Sequence, residues 1–414
     1  MSDEPTPPSL HYTIWALQVW NGNSPHTKRG RPTFACNRVM SRASAPCYTV
    51  FVRMQSRISA FTAVAVLVMA QAVWPHAAVQ NPPADEASRA SFTEFLAGVH
   101  TEALERGIRQ EILDAALAGV EEPLAVVIER DRTQAESVLP LETYIARRLT
   151  PKAIAAAQNG LAKQRGLLKE VAARYGVPPE ILVAVWGIES NFGRFTGIRP
   201  TISALATLAW DQRRPTLFRG ELFAALEILN HGDVDVSQLR GSWAGAMGQV
   251  QFMPSSYLKF AEDFDGDGRR DIWTSAPDVF ASIANYLKGH GWTAGQAWGR
   301  EVVVSTEAAE KIAATVAQRA GTCKATREMT VALPEKEWRQ LGVRLSAGAP
   351  LPAGGPDAAM VSGAKRHFLV YQNYDALLEY NCSHAYAASV GLLANRIAAP
   401  GVTTHKHAAR AQIQ

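Results

Sequence analysis

The sequence predicts an α+β protein, predominantly α-helical, with a small β subdomain late in the chain. Three observations predict it. Apolar residues recur at helical spacing through two long blocks, 92–168 and 181–287. From Glu301 the texture changes to short apolar or β-branched runs separated by Gly/Pro-rich stretches. The chain also has 414 residues, 47% of them hydrophobic, enough for a sizeable core spread over two or three subdomains.

Taken in order, the N-terminus comes first. Arg53 to Arg57 is basic, Ile58 to Val73 is uncharged and apolar, and small residues follow at Ala70-Gln71-Ala72 and Ala77-Ala78. That pattern predicts a signal peptide over 54–78 whose natural start is Met54. Residues 1–53 then read as a misassigned start or a disordered extension. The rival reading is an uncleaved anchor helix, for which the apolar stretch is short. No Cys follows the apolar run, so a lipid anchor is not indicated. The expected location is the periplasm, with membrane attachment if the signal stays in place.

Residues 79–91 form a polar, Pro-containing linker. Phe92-Phe95-Leu96-Val99, Ile108-Ile112-Leu113-Ala116 and a long run through Tyr144 to Leu168 predict a helical part over about 92–170. A second helical part with Gly-rich loops is expected over about 171–298. Glu301 to Ser305, Met329 to Leu333, Val343 to Leu345 and Phe368 to Tyr371 are the expected strands of a β subdomain over about 299–372. Closing helices over 373–397 and a frayed tail, 398–414, complete the chain.

The net charge of +4 decides nothing about polyanionic partners. No long basic run interleaved with aromatics appears, so no nucleic-acid partner is expected. Ten Trp and ten Tyr offer faces for stacking on sugar rings, although core packing uses such residues too. Cys36 and Cys47 precede the signal; Cys323 and Cys382 can pair in an oxidising compartment. No Cys/His cluster has the spacing of a zinc site.

The most informative residue is Glu189. Pro178 to Ser190 reads as a helix, with prolines suited to its first turn and Leu182, Val185 and Ile188 at helical spacing. Glu189 is carried on or beside that apolar stripe, near Gly193, which can end the helix. Burial in apolar surroundings raises a carboxyl pKa, and a Glu protonated near neutrality is what a general acid requires. A solvated Glu at a helix end is the plainer alternative.

The segment Gly241-Ser242-Trp243-Ala244-Gly245-Ala246-Met247-Gly248-Gln249-Val250-Gln251-Phe252-Met253-Pro254-Ser255-Ser256-Tyr257 sets small residues between aromatics, as where something approaches the backbone closely. Ser242, Gln251 and Tyr257 could hydrogen-bond a sugar; a tight Gly/Ala packing with no ligand fits equally.

Together the Gly-Ile-Glu-Ser-Asn-Phe-Gly string and this segment resemble the lytic murein transglycosylase B family, from about Phe92 to Ile397. The resemblance implies a lysozyme-like core flanked by the helical and small β parts. It also implies cleavage of the β-1,4 bond between N-acetylmuramic acid and N-acetylglucosamine in peptidoglycan, as a carbon–oxygen lyase. Glu189 matches the family's catalytic acid/base. Ser242, Gln251, Tyr286, Tyr380 and Asn381 match substrate-contacting positions, with Met247 beside them and Tyr144 as a looser match. Arg213 and Arg214 sit where the family meets the peptide stem.

In Asp263-Phe264-Asp265-Gly266-Asp267-Gly268-Arg269, carboxylates at positions one, three and five with Gly at six and Arg269 at seven suit a Ca²⁺ loop. Position twelve is Thr274 rather than Glu, and Asp278 can close the site instead. A plain acidic turn is the alternative, and the resemblance favours a structural Ca²⁺. No organic cofactor is expected.

With the other clustered acids committed to a metal, Glu189 is left to act twice, first as acid and then as base. The muramoyl C6 hydroxyl would be the nucleophile and a 1,6-anhydro end the product. A lysozyme-type hydrolase and a non-catalytic wall-binding protein are the rivals. The expected partners are peptidoglycan glycan strands, with proteins of cell-wall synthesis as further partners, and the expected state is a monomer.

Overall fold

The structure, a computed structural model, describes residues 91–134, 139–352 and 354–398. The expected extension 1–53, the signal over 54–78, nearly all of the linker and the tail from 399 lie outside the described residues.

The helical part opens with α1 (Phe92–Glu105), α2 (Gln110–Leu117), α3 (Ala125–Gln134), α4 (Leu141–Arg148), α5 (Pro151–Lys163) and α6 (Arg165–Tyr175). A capping box starts α1: Glu94 N–H donates to Ser91 Oγ at 3.2 Å and Ser91 N–H to Glu94 Oε2 at 2.7 Å. The run from Tyr144 to Leu168, continuous by periodicity, is three helices. Thr150 caps α5 by accepting from Ala153 N–H, and Pro151, lacking an N–H, can only begin a helix there.

Next come α7 (Pro179–Ser190), β1 (Arg199–Pro200), α8 (Thr201–Trp210), α9 (Pro215–His231), β2 (Arg240–Gly241), α10 (Pro254–Phe260) and α11 (Ala276–Gly289). Four successive residues of α7, Leu182 to Val185, are fully buried. The helix is therefore apolar all round rather than striped, because α5, α6, α11 and α16 (His384–Ala398) enclose it. Burial of Leu182, Val183 and Val185 stabilises by about 1.5–3 kcal/mol each. It is the chain's central helix, and Glu189 is its penultimate residue.

Gly193 does not end α7. Asn191 takes the left-handed cap with φ 50°, and Phe192 (φ 60°) and Gly193 (φ 75°) continue it. Asn tolerates that region through its short polar side chain. Phe192 there folds back over Gly187, where a Cβ would strike its ring at 2.6 Å. Beyond this turn β1 pairs with β2, Arg199 opposite Gly241, tying the segment after Glu189 to the Gly/Ala-rich stretch.

The β part contains β3 (Gly299–Val303), α12 (Thr306–Thr315), α13 (Lys324–Arg327), α14 (Glu335–Gln340), β4 (Arg344–Leu345), β5 (Ala359–Ser362) and β6 (His367–Val370). The antiparallel strand order is β4-β3-β6-β5. Its own apolar cluster includes Val302, Trp338, Leu369 and Tyr371. Met329 to Leu333, expected as a strand, makes only isolated bridges at Thr330 and Leu333. The fourth strand is Ala359–Ser362, and helices α12 and α14 interrupt the expected run of strands. Then α15 (Gln372–Tyr380) and α16 close the chain, and the Cys323–Cys382 disulfide, with Cα atoms 5.9 Å apart, fastens α13 beside Asn381.

Candidate active site

Glu189 is the penultimate residue of α7, half-buried as a whole with its carboxyl among protein atoms. Burial pushes its pKa up to about 7; the Tyr386 hydroxyl and the Arg148 guanidinium act in the opposite direction and only partly offset this. Among the described residues, no carboxylate is one of the groups that shift it.

Three elements bring tyrosines to this carboxyl. Tyr144 comes from α4, Tyr380 from the end of α15, and Tyr386 from α16; each is buried and feels the Glu189 charge, and burial raises the pKa of each. All three thus stay protonated as neutral hydroxyls. Tyr380 Oη donates to Val250 O at 2.8 Å, and Tyr286 Oη donates to Glu379 O at 2.8 Å. Their rings lie 4.7 Å apart, with Phe252 at 5.2 Å from Tyr286 and 5.8 Å from Tyr380. These tilted, closely packed rings hold Tyr286 and Tyr380 in place.

Other polar atoms have no protein partner. Tyr144 Oη, Tyr386 Oη, both amide atoms of Asn381 and Gln251 Oε1 are buried without a hydrogen bond. Tyr386 Oη is close enough to Glu189 to act on its carboxyl yet falls short of a formed hydrogen bond. A buried polar atom without a partner costs about 1–3 kcal/mol. Such hydroxyl and amide atoms are the kind that a polar, uncharged ligand can satisfy. Gln251 also has φ 54°, backbone strain of the kind found at functional sites; its Nε2 donates to Gly248 O at 2.8 Å and Thr196 O at 3.3 Å, so its Oε1 is left over.

Not every expected residue has a free face. Ser242 Oγ accepts from Ala244 and Ala246 N–H, both at 3.2 Å, and so builds the turn itself. Met247 is fully buried, its backbone paired with Phe252. Arg213 and Arg214 both bind the buried Asp131 of α3. Tyr386 and Arg148 were not singled out from sequence, although signals exist. Arg148 lies four residues after Tyr144 on one helix face, and Tyr386 is a lone aromatic in the Ala/Gly-rich α16.

In the acidic loop, oxygens of Asp263, Asp265 and Asp278 lie within 4.8 Å of one another. Asp278 is fully buried on α11; its oxygens accept from Phe264 and Asp271 N–H, both at 2.8 Å, and burial nevertheless raises its pKa to about 6. Three converging carboxylates, one of them desolvated, suit a hard cation. The sequence-based set also includes Asp267 and Arg269; Asp267 is not in this group and its carboxylate accepts from Arg269 N–H at 2.8 Å, while the Arg269 side chain is exposed.

Residues 91–395 match the family described as the transglycosylase SLT domain. The chain belongs to this family of lytic transglycosylases. Over 122 residues it is 48% identical to the membrane-bound lytic murein transglycosylase B of Escherichia coli K12, which is 29% of this chain and 34% of that one. The alignment thus spans about a third of that relative's length. Among solved structures, SltB3 from Pseudomonas aeruginosa in complex with NAG-NAM-pentapeptide is similar with TM-score 0.67 and 42% identity, covering 75% of this chain and 80% of that one. The E. coli lytic transglycosylase Slt35 in complex with calcium has TM-score 0.61 and 27% identity, over 79% of this chain and 98% of its own. The lysozyme-like fold expected for this family is the one this transglycosylase-family chain adopts.

Proposed function

We propose that the protein cleaves the β-1,4 bond between N-acetylmuramic acid and N-acetylglucosamine of peptidoglycan and leaves 1,6-anhydromuramoyl ends. The observation that carries this is Glu189: one carboxyl with a pKa near 7, beside the unpartnered hydroxyls of Tyr144 and Tyr386, with no second carboxylate acting on it among the described residues. A two-carboxylate glycosidase needs a partner acid across the scissile bond. With one acid, the economical sequence is intramolecular. Glu189 as the acid protonates the glycosidic oxygen, and the C1–O bond breaks. The substrate's N-acetyl carbonyl stabilises the cationic C1. Glu189, now a carboxylate, removes the proton of the C6 hydroxyl as that oxygen bonds to C1. Acid and base are the same group, and an internal nucleophile has a large effective concentration. In this reading Asn381, with both amide atoms buried and unpartnered, holds the N-acetyl group, and Tyr386 holds the carboxyl.

Gln251 and Tyr144 supply further sugar contacts in this reading. Asp263, Asp265 and Asp278 would hold a Ca²⁺ whose role is to fix the loop. Action in the periplasm on glycan strands follows from the same reading. Mass spectrometry of digested sacculi tests it: anhydro ends from wild type and none from Glu189→Gln are expected, and reducing muramic ends would make the enzyme a hydrolase.

A further inference from the structure

Gln249 belongs to the Gly/Ala-rich segment, and no sugar-binding role falls to it. It nevertheless has every side-chain polar atom engaged. Its Oε1 accepts from Trp186 Nε1–H at 2.7 Å, its Nε2 donates to Trp273 O at 2.7 Å, and its backbone N–H donates to Ile272 O at 2.8 Å. Trp186 is on α7, three residues before Glu189. On the other side of Glu189, Gly193 leaves the gap the amide occupies: a Cβ there would meet Gln249 Oε1 at 2.3 Å. One side chain thus touches the chain on both sides of the catalytic carboxyl.

The Trp186 indole is itself held. Phe192 and Phe280 pack edge-on at ring distances of 5.4 and 5.3 Å, and Gly160 lies so close that a Cβ would stand 3.0 Å from the ring. At the other end, Trp273 and Thr274 N–H both donate to Asp271 Oδ1 at 2.8 Å, and Asp271 N–H donates to Asp278 Oδ2 at 2.8 Å. A continuous series of short hydrogen bonds therefore runs from Asp278 through Asp271, Trp273 and Gln249 to Trp186, one helical turn from Glu189.

We propose that Gln249 is a positioning residue, the clamp by which the acidic loop holds the turn of α7 that presents Glu189. This rests on Glu189 being the catalytic acid. A hydrogen-bonded amide fixed at both ends transmits displacement, whereas an apolar side chain of similar size would only fill space. Any change of the loop's conformation, cation binding included, reaches the catalytic turn through this side chain. The Gln249 amide bonds to Trp186 and Trp273 and to none of the proposed substrate-contacting side chains, so its loss is expected to act on the chemical step rather than on binding.

A double-mutant cycle tests the clamp, with Trp186→Phe, Gln249→Leu and both together, scored as glycosidic bonds broken and checked for folding by thermal unfolding. The expected result for Gln249→Leu is a kcat about tenfold lower with KM within about twofold. The double variant should be no worse than the poorer single, because both remove the same bond. The indole ¹⁵N–¹H signal missing from Trp186→Phe identifies Trp186. Asp271→Ala should move that signal when Gln249 is present and leave it in place in the Gln249→Leu background. Unchanged kcat, a rise in KM instead, losses that multiply in the double variant, or a Trp186 signal indifferent to Asp271→Ala would each overturn the proposal. If Gln249→Leu does not fold, Trp186→Phe decides alone: lower kcat at unchanged KM supports the clamp, and unchanged kcat overturns it. Since bonds broken are counted whatever ends they leave, finding reducing ends would defeat the anhydro mechanism without deciding the clamp.

Discussion

The Arg148 guanidinium lies 5.2 Å from the centre of the Tyr144 ring, one turn further along α4, and both side chains interact with Glu189. The positive charge favours the Glu189 carboxylate, so it holds the pKa below what burial alone would impose. In the proposed mechanism catalysis begins from the protonated acid, so wild-type activity is expected to fall as pH rises through about 7. In Arg148→Gln the opposing charge is gone, the acid keeps its proton longer, and the alkaline limb of kcat/KM moves to higher pH. A pH–rate profile of the two proteins checks the direction.

The same carboxyl affects stability. Its folded-state pKa is about 7 against an ordinary 4.5, so the unfolded chain ionises first as pH rises. Stability is therefore fully present below pH 4.5 and is lost progressively up to about 7. Glu189→Gln removes this loss. The variant is expected to be inactive yet more stable than wild type above pH 7, by on the order of 1–3 kcal/mol, with no difference near pH 4. Denaturant unfolding at both pH values measures it.

Tyr386→Phe removes a buried hydroxyl that has no formed hydrogen bond but faces Glu189. Losing an unpartnered hydroxyl is close to neutral or slightly favourable for folding. Losing it as a donor to a developing charge lowers kcat, by about a hundredfold if it acts like other such donors. Reduced kcat with an unchanged melting temperature is the expected pair; a stability loss matching the activity loss would assign Tyr386 to the core instead.

Much of this was legible from residues, and the failures have physical causes. The helix that carries Glu189 and the acidic spacing from Asp263 are readable because each is a local pattern, whereas Tyr380 and Asn381 are reached only through the family resemblance. Tyr386 was not, because its place beside Glu189 comes from packing of α16 on α7, which no local pattern encodes. The resemblance directs Arg213 and Arg214 toward substrate; in the fold both pair with Asp131, 82 and 83 positions away in sequence, a partner that no local pattern gives. The stretch Ala359–Ser362 escaped as a strand because its alternation is weak and only pairing with His367–Val370 makes it one. Thr306–Thr315 lies inside the expected β region yet forms a helix, which Ser305 caps by accepting from Ala308 N–H at 3.2 Å.

The Cys323–Cys382 bond closes 59 positions of chain and anchors the residue next to Asn381. Closing a loop of that length stabilises by about 4 kcal/mol in the chain-entropy account. A Cys323→Ser/Cys382→Ser variant should lose about that much in denaturant unfolding, and its affinity for glycan fragments should fall as Asn381 loosens.

For the acidic loop, Ca²⁺ at a hundredfold excess over its Kd should stabilise by about 2.7 kcal/mol. Thermal unfolding with chelator and with added Ca²⁺ reads this shift, and Asp265→Asn should abolish it. Identical melting curves would leave the loop as an acidic turn.

Digestion of purified sacculi in water enriched in ¹⁸O tests the central claim most directly. If Glu189 delivers the muramoyl C6 hydroxyl to C1, the new anhydro ends carry no ¹⁸O, and Glu189→Gln releases none of them. Muramic ends bearing ¹⁸O at C1 would show water as the nucleophile and contradict the account.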